Sequence, residues 1–198
     1  EFRATSTTIT QLVDTAGKLS QNRRGALIVV DLGSDLRPED FLYSGTNIEA
    51  QLSTDLLINL FATDTPLHDG AVLVKGNKII SAGVILPLSR QGISRYGTRH
   101  LAALGITERF DRCICIVVSE ETGTLSLANQ GKLERPITSS RLQELLVNLI
   151  GNQNSGGTNK ASISKNALPQ KTIPSDNINN DFNEKESNKK ETFIVKKD

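Results

Sequence analysis

Two short, predominantly apolar segments constrain the fold more than any other feature of this chain. Residues 26–33 read ALIVVDLG, and residues 112–119 read RCICIVVS. Runs of this length that are rich in β-branched residues and lack a polar face are typical of strands buried on both sides of a sheet. We therefore predict a central sheet that is covered by helices on its faces.

Helical patterns and hairpin signals alternate with these two strands. Apolar residues at helical spacing predict four helices, which include or begin at Leu12, Leu57, Gly97 and Ser140. Ser140 and Gln143 have the spacing of a capping box for the last helix. Turn residues at 76–77 and 130–131 each separate two strand-like segments and predict hairpins. The predicted fold class is α/β, with a mixed parallel and antiparallel central sheet flanked by helices.

The composition changes near residue 151. No periodic apolar face can be drawn over residues 151–198, where Asn, Ser, Lys and Gly accumulate. Such a segment has too little apolar surface to offset the entropy of ordering, so we predict a disordered tail. With 198 residues, of which 37% are hydrophobic, the chain can bury one good core. We therefore predict one folded domain over residues 1–150 and a tail over 151–198.

Charge and composition narrow the partners and the compartment. A net charge of +1 gives no electrostatic reason to expect nucleic acid as a partner. No apolar run approaches the roughly 20 residues that span a bilayer. Because the sequence contains no methionine, we expect a segment upstream of it, which could carry a signal or a membrane anchor. Cys113 and Cys115 have strand-like spacing that does not favour a bridge between them, and we interpret them as buried free thiols in a reducing compartment.

The first polar cluster lies in LHDGAV, residues 67–72. His68 and Asp69 are followed by Gly70 and then directly by an apolar strand. A carboxylate there can bind a metal ion or accept a proton, and glycine lets the backbone approach a ligand closely. The alternative is an ordinary Asp-Gly turn.

The second cluster lies in RYGTRHLAALG, residues 95–105. Gly97, Thr98, Arg99 and His100 stand at the predicted start of a helix. Free backbone N–H groups, a hydroxyl and a guanidinium in one place suit a polyphosphate. The alternative is a capped helix with a solvated arginine and a hydrogen-bonded histidine.

The third cluster is VVSEETGT, residues 117–124. Ser119, Glu120 and Glu121 follow directly after a buried strand. Ligands of open α/β sheets tend to lie beyond the carboxyl ends of strands, which makes these acidic residues candidate metal ligands. A plain acidic turn is the alternative. Neither a Walker-type P-loop nor a Rossmann glycine fingerprint is present, so phosphate binding would need another arrangement.

Together the three clusters resemble the diadenylate cyclase family, and in particular its bacterial membrane-anchored branch. Asp69, Gly70 and Ala71 match the family's Asp-Gly-Ala motif. The sequence from Gly97 to His100 matches the Gly-Thr that precedes the family's Arg-His-Arg motif and the first two residues of that motif. The resemblance covers roughly residues 5–150. One departure is Leu101, which stands where the family has its second arginine.

The resemblance implies a nucleotidyltransferase that condenses two ATP molecules into cyclic di-AMP and releases two pyrophosphates. Each subunit is expected to hold one ATP, and two subunits of a homodimer would meet face to face so that each 3′-hydroxyl attacks the other nucleotide. The membrane-anchored branch further implies that this chain is the cytoplasmic domain of a bacterial cell-membrane protein.

The resemblance also assigns roles to residues. Asp69 and Arg99 are expected to be catalytic, with Asp69 near the 3′-hydroxyl as base or as ligand of an activating ion. That ion would be Mn²⁺ or Mg²⁺, with Co²⁺ as a further candidate. Its expected ligands are His68, Asp69 and Glu121, and imidazole ligation would favour Mn²⁺. The expected substrate-binding residues are Gly70, Ala71, Leu86, Gly97, Thr98, Arg99, His100 and Ser119. Among them, Thr98, Arg99 and Ser119 would hold phosphate oxygens, and Leu86 would line the adenine pocket.

Two other readings remain open at this point. The chain could be a binding module that keeps the nucleotide pocket without turnover, a reading that Leu101 supports. Alternatively it could be a structural or interaction domain in which the polar clusters are accidental.

Overall fold

The two apolar segments form neighbouring strands at the centre of one sheet. A computed structural model describes residues 6–91 and 96–151. Its helices are α1 (Ser6–Gln21), α2 (Thr54–Leu60), α3 (Thr98–Arg109) and α4 (Ser139–Gly151), with one 3-10 turn at Pro38–Asp40. Its strands are β1 (Ala26–Asp31), β2 (Thr46–Gln51), β3 (Ala71–Lys75), β4 (Lys78–Val84), β5 (Cys113–Val118), β6 (Leu125–Asn129) and β7 (Lys132–Ile137).

The sheet is mixed, as predicted. Its seven strands have the order β2-β4-β3-β1-β5-β6-β7. β1 pairs in parallel with β3, and every other neighbouring pair is antiparallel. Every residue of β1 and of β5 is buried, which is why neither strand shows a polar face in the sequence.

Helices cover both faces of the sheet, which confirms the predicted α/β class. Leu12, Leu57 and Leu146, from α1, α2 and α4, belong to the apolar core on one face. Ala103 and Ile106 of α3 belong to the core on the other face. In the part of the chain that the structure describes, no helix combines the length and the apolar character needed to cross a bilayer.

The strand directions bring the ends of four strands together on one side of the sheet, at the line where the strands begin and end. Ala26 at the start of β1 pairs with Val118 at the end of β5, and Ala71 at the start of β3 pairs with Val84 at the end of β4. This line of strand ends includes the amino ends of β1 and β3 and the carboxyl ends of β4 and β5. The candidate residues that follow β5 lie beyond its carboxyl end, whereas the parallel pair β1 and β3 contributes its amino ends.

The start of α4 differs from the prediction. The helix begins at Ser139, and the hydroxyl oxygen of Thr138 accepts a hydrogen bond from the backbone N–H of Arg141 at 3.1 Å. The capping residue is therefore Thr138, and the capping box predicted from Ser140 and Gln143 is wrong. Both residues lie inside the helix.

Strand β2 was not predicted, because its residues, TNIEAQ, are mostly polar and exposed. β2 is an edge strand that pairs only with β4, and its register shifts between Asn47 and Ala50. An edge strand of this kind buries too little apolar surface to leave a periodic signal.

The two cysteines are buried and free, as predicted. The prediction of a disordered tail over 151–198 falls, apart from Gly151, outside the described residues. The domain boundary near residue 150 stays a prediction.

Candidate active site

Two adjoining cavities open where the ends of β1, β3, β4 and β5 lie together. We call the first the apolar cavity; it has a volume of about 350 Å³ and is lined by Leu27, Asp69, Gly70, Val84, Ile85, Leu86, Leu88, Thr98, Arg99 and Ala102. We call the second the polar cavity; it has a volume of about 220 Å³ and is lined by Gly97, Thr98, Arg99, His100, Val117, Val118, Ser119, Glu120, Glu121, Thr122 and Arg135. Thr98 and Arg99 line both, so the cavities adjoin at these two residues. The pair suits one ligand with an apolar ring at one end and an anionic group at the other.

The N-terminus of α3 stands where the two cavities meet. Gly97 is its N-cap residue, and no side chain caps the helix there. A Cβ at Gly97 would have no neighbouring atom within 4 Å, so packing within the chain does not require glycine at this position. The N-terminus of a 12-residue helix is electropositive and favours an anion. The structure thus brings Gly97, Thr98, Arg99 and Ser119 together, as the sequence predicted.

Arg99 is paired with Glu120, and both residues line the polar cavity. The Arg99 Nη1 group donates to the Glu120 carboxylate at 2.6 Å, and the Arg99 side chain is only 24% exposed. Gly25 makes room for this pair, since a Cβ there would lie 2.5 Å from Glu120 Oε2 and 2.9 Å from Arg99 Cζ. No local pattern in the sequence marks Gly25 for this role.

His68 and Asp69 face each other in the loop before β3. The His68 Nδ1 atom lies 2.5 Å from the carbonyl oxygen of Thr65. Because a carbonyl can only accept, Nδ1 carries the hydrogen, and in the neutral ring Nε2 presents a lone pair. Nε2 lies 3.5 Å from a carboxylate oxygen of Asp69, whose side chain is 82% exposed. A lone pair and a carboxylate oxygen repel each other at this separation unless a proton or a cation lies between them. The two side chains are therefore suitably placed to be two ligands of one metal ion.

The third predicted metal ligand is not with this pair. Glu121 lines the polar cavity, whereas Asp69 lines the apolar one. Within residues 6–91 and 96–151, no three His, Cys, Asp or Glu side chains are grouped so that they could hold a metal ion. One subunit alone therefore does not assemble the expected set of His68, Asp69 and Glu121.

Gly70 is required by its own backbone surroundings. Its φ is +148°, and a Cβ there would lie 2.6 Å from the carbonyl carbon of Gly83 in β4. The close approach that glycine permits is thus to the neighbouring strand, although Gly70 also lines the apolar cavity. Ala71, by contrast, is fully buried and lines neither cavity, while Leu86 lines the apolar cavity.

His100 lines the polar cavity but is largely buried. The residue is only 6% exposed, and its Nε2 atom lies 3.1 Å from the hydroxyl oxygen of Ser126. Burial lowers the pKa of His100 below its usual 6.5; the charge of Arg135 lowers the pKa further, and Glu120 opposes this. A neutral ring that is already hydrogen-bonded to Ser126 shapes the cavity rather than supplying charge.

Sequence reasoning missed Arg135. This residue lies on β7 and lines the polar cavity together with the first residues of α3. An exposed arginine on an edge strand carries no pattern that separates it from a solvated surface residue, so the sequence offered no signal for it.

The chain matches one family model and several known proteins in sequence. Residues 13–133 match the sequence profile of the family described as DisA bacterial checkpoint controller nucleotide-binding. A diadenylate cyclase of Listeria monocytogenes is 47% identical over 131 residues, which are 65% of this chain and 47% of the relative. The cyclic di-AMP synthase CdaA of Bacillus subtilis is 41% identical over 141 residues, 70% of this chain and 50% of the relative. The chain thus spans about half the length of these curated relatives.

Two solved structures share the fold. DacA from Staphylococcus aureus, solved as a double mutant, superposes with a TM-score of 0.65 at 37% identity over 72% of this chain and 94% of that one. A protein of Bacillus cereus titled a hypothetical membrane spanning protein superposes with a TM-score of 0.60 at 41% identity over 65% of this chain and 63% of that one. With a profile match over more than half of its length and relatives of this similarity, the chain belongs to the diadenylate cyclase domain family.

Proposed function

We propose that this chain is the catalytic domain of a diadenylate cyclase, which condenses two ATP molecules into cyclic di-AMP and releases two pyrophosphates. One observation carries the proposal: an apolar and a polar cavity adjoin at Thr98 and Arg99, with the exposed carboxylate of Asp69 on the wall of the apolar one. The names of the curated relatives support it, since they are diadenylate cyclases and cyclic di-AMP synthases.

The cavities suit the two ends of one ATP molecule. The adenine ring would lie in the apolar cavity against Leu27, Leu86 and Ala102. The phosphates would lie in the polar cavity, where Ser119, Thr98 and the N-terminus of α3 supply donors. This placement puts the ribose between the cavities, near Asp69 and Arg99.

The chemistry needs a base at the ribose and positive charge at the phosphates. The 3′-oxygen of one ATP attacks the α-phosphorus of the other, and the bond from that phosphorus to the bridging oxygen of pyrophosphate breaks. Asp69 would accept the 3′-hydroxyl proton directly or hold the ion that lowers its pKa. Arg99 would stabilise negative charge on the reacting phosphate.

His68 and Asp69 would hold a divalent ion, Mn²⁺ or Mg²⁺ with Co²⁺ as a further candidate, and the ion would neutralise phosphate charge and activate the hydroxyl. Their 3.5 Å separation supports this role. Because Glu121 lines the other cavity of the same subunit, we propose that its contribution as a ligand comes from the second subunit.

A single subunit with one ATP cannot close the cyclic product, so the proposal requires a homodimer. Exposed apolar side chains beside the apolar cavity support a second copy at this surface. We call them the rim patch: Leu42, Tyr43, Ile85 and Leu88, which are 72%, 58%, 41% and 50% exposed. Backbone hydrogen bonds between Tyr43 and Ile85 join the loop before β2 to the segment after β4. Ile85 and Leu88 also line the apolar cavity, so a partner on the rim patch would face the substrate.

The Bacillus cereus neighbour, titled a membrane spanning protein, supports a further part of the proposal, that this chain is the cytoplasmic domain of a membrane-anchored bacterial protein. Fractionation of the source cells tests this part. We expect the full-length protein in the membrane pellet, and recovery in the soluble fraction would contradict it.

The reaction itself tests the main proposal. The purified chain is incubated with ATP and Mn²⁺, with parallel reactions in Mg²⁺ and Co²⁺ and one without metal, and the nucleotides are separated by chromatography. We expect cyclic di-AMP with two pyrophosphates per product, formed fastest with Mn²⁺. Bound ATP that is recovered unchanged would favour the binding module instead, and the absence of ATP binding would favour a structural domain.

A further inference from the structure

The polar cavity contains two guanidinium groups, and they differ in their partners. Arg99 is paired with Glu120 at 2.6 Å. Arg135 forms no ion pair with any carboxylate among residues 6–91 and 96–151. Part of the charge of Arg99 is therefore neutralised within the chain, whereas that of Arg135 is not.

The surroundings of Arg135 hold it at the cavity without neutralising it. Its guanidinium carbon lies 5.8 Å from the ring centroid of Tyr96, a cation–π contact that orients the group and leaves its five donors available. The adjacent carboxylate, Glu134, is paired with Arg141 at 2.8 Å. The nearest acidic residue in sequence is thus already engaged by another arginine.

The charge of Arg135 also acts inside the cavity. His100 lines the same cavity, and after burial itself, Arg135 is the main influence that lowers the pKa of this histidine. A cation whose field reaches a buried ring in the cavity wall would also act on an anion bound between them.

Leu101 cannot supply a second guanidinium group to the polar cavity, whereas Arg135 does. Leu101 is 7% exposed and lines neither cavity, so position 101 supplies no guanidinium to the substrate in this chain. The second guanidinium of the cavity comes instead from strand β7, more than 30 residues later in the sequence.

We propose that Arg135 binds the β- and γ-phosphates of ATP and stabilises the pyrophosphate that leaves. The proposal deepens the proposed function and rests on it for the identity of the ligand. As the bond between the α-phosphorus and the bridging oxygen breaks, its electron pair stays on pyrophosphate. Arg135 donates hydrogen bonds to that oxyanion, while the 3′-oxygen of the other ATP completes the new ester bond.

Binding measurements that do not depend on turnover test this role. The ligands are 3′-deoxy-ATP, which cannot condense because it lacks the attacking hydroxyl, inorganic pyrophosphate and 3′-deoxyadenosine, each titrated calorimetrically with Mg²⁺ present. The variants are Arg135→Ala and Arg135→Lys. Lys132→Ala is the matched control, because it removes a cation from the same strand but lies at a groove against α4, away from both cavities.

We expect Arg135→Ala to lower the affinity for 3′-deoxy-ATP and for pyrophosphate by about 10- to 100-fold, the range expected when charge-assisted hydrogen bonds are lost. The affinity for 3′-deoxyadenosine should stay within about twofold, Arg135→Lys should recover part of the loss, and Lys132→Ala should match the parent. Unchanged pyrophosphate affinity in Arg135→Ala overturns the proposal. An equal loss for 3′-deoxyadenosine overturns it as well, because that result indicates a structural role.

The outcome is separable from that of the proposed function. The parent could bind 3′-deoxy-ATP and make no cyclic di-AMP from ATP, while Arg135→Ala binds 3′-deoxy-ATP more weakly than the parent. That result would support the assignment of Arg135 to the phosphates and refute the cyclase activity. A parent that binds neither 3′-deoxy-ATP nor pyrophosphate overturns both.

Discussion

Arg99 and Glu120 form a 2.6 Å ion pair that lies directly over the backbone of Gly25, where a side chain would displace it. The pair joins the first turn of α3 to the turn after β5. Arg99 lines both cavities, so its orientation bears on every step in which phosphate charge changes.

Gly25→Ala should therefore lower activity without unfolding the protein. The added Cβ meets only the ends of two flexible side chains, and Gly25 does not have a positive φ, so we expect the free energy of unfolding to change by less than about 1 kcal/mol. Displacement of Arg99 should reduce the rate of cyclic di-AMP formation by about 10- to 100-fold. Steady-state kinetics and denaturant unfolding measure the two effects.

Gly17→Ala is the control for this substitution. Gly17 lies inside α1, where a Cβ would make an ordinary 3.5 Å contact with Ser139. We expect parental activity and a small gain in stability, since alanine favours helix. Parental activity in Gly25→Ala would show that the position of Arg99 does not matter to the reaction.

The homodimer predicts that activity per subunit depends on concentration. Dilution of the purified chain into the nanomolar range should lower the specific activity, because two subunits must meet for each product. Leu42→Ser should raise the concentration needed for half-maximal activity by at least about 10-fold, since a symmetric interface loses the apolar area twice. Leu42 is 72% exposed and lines neither cavity, so the substrate site is left intact.

Val147→Ser provides the comparison, because Val147 is also exposed, at 50%, but lies on α4. It should show the parental dependence on concentration. Constant specific activity of the parent at every dilution would argue against assembly at the rim patch.

The lowered pKa of His100 predicts a loss of stability in mild acid. Burial, followed by the charge of Arg135, lowers this pKa below 6.5, so the unfolded chain binds the proton more readily than the folded protein. The contribution to folding is fully present above pH 6.5 and is lost as the pH falls from there towards the folded-state pKa.

NMR titration of His100 and urea unfolding between pH 4.5 and 7.5, a range chosen about the ordinary histidine pKa of roughly 6.5, measure this effect. Arg135→Ala should raise the pKa of His100, and His100→Gln should weaken the acid sensitivity of folding while keeping a group that can bond to Ser126. A His100 pKa at or above 6.5 in the parent would contradict this account of the cavity.

Much of the fold could be predicted from the sequence, because its central elements bury whole faces. β1, apart from its last residue Asp31, and β5 are apolar throughout, because helices cover both sides of them. The hairpin turn at Gln130 and Gly131 could be located because Gly131 adopts a positive φ, which glycine takes up more readily than other residues. β2 could not be predicted, since a polar edge strand with an irregular register has no such periodicity.

The site was predictable only where short motifs mark it. Asp69, Thr98, Arg99 and Ser119 lie in segments whose residue types suit phosphate or metal, and the structure brings all four to the two cavities. Arg135 and the role of Gly25 depend on contacts between distant segments, which no local pattern encodes. Glu121 lies in a turn of suitable residue type, but no local pattern shows that it lies in a different cavity from Asp69 within one subunit.

Asp69→Asn tests the central claim most directly. The substitution keeps the size of an exposed side chain whose partner is His68, so the fold should be unaffected, and Asp64→Asn in the same exposed loop is the matched control. With ATP and Mn²⁺, we predict that Asp69→Asn forms cyclic di-AMP at least about 100-fold more slowly than the parent, the scale expected when a general base or metal ligand is lost, whereas Asp64→Asn keeps the parental rate. A rate for Asp69→Asn within a few-fold of the parent would contradict the assignment of this cavity as the active site.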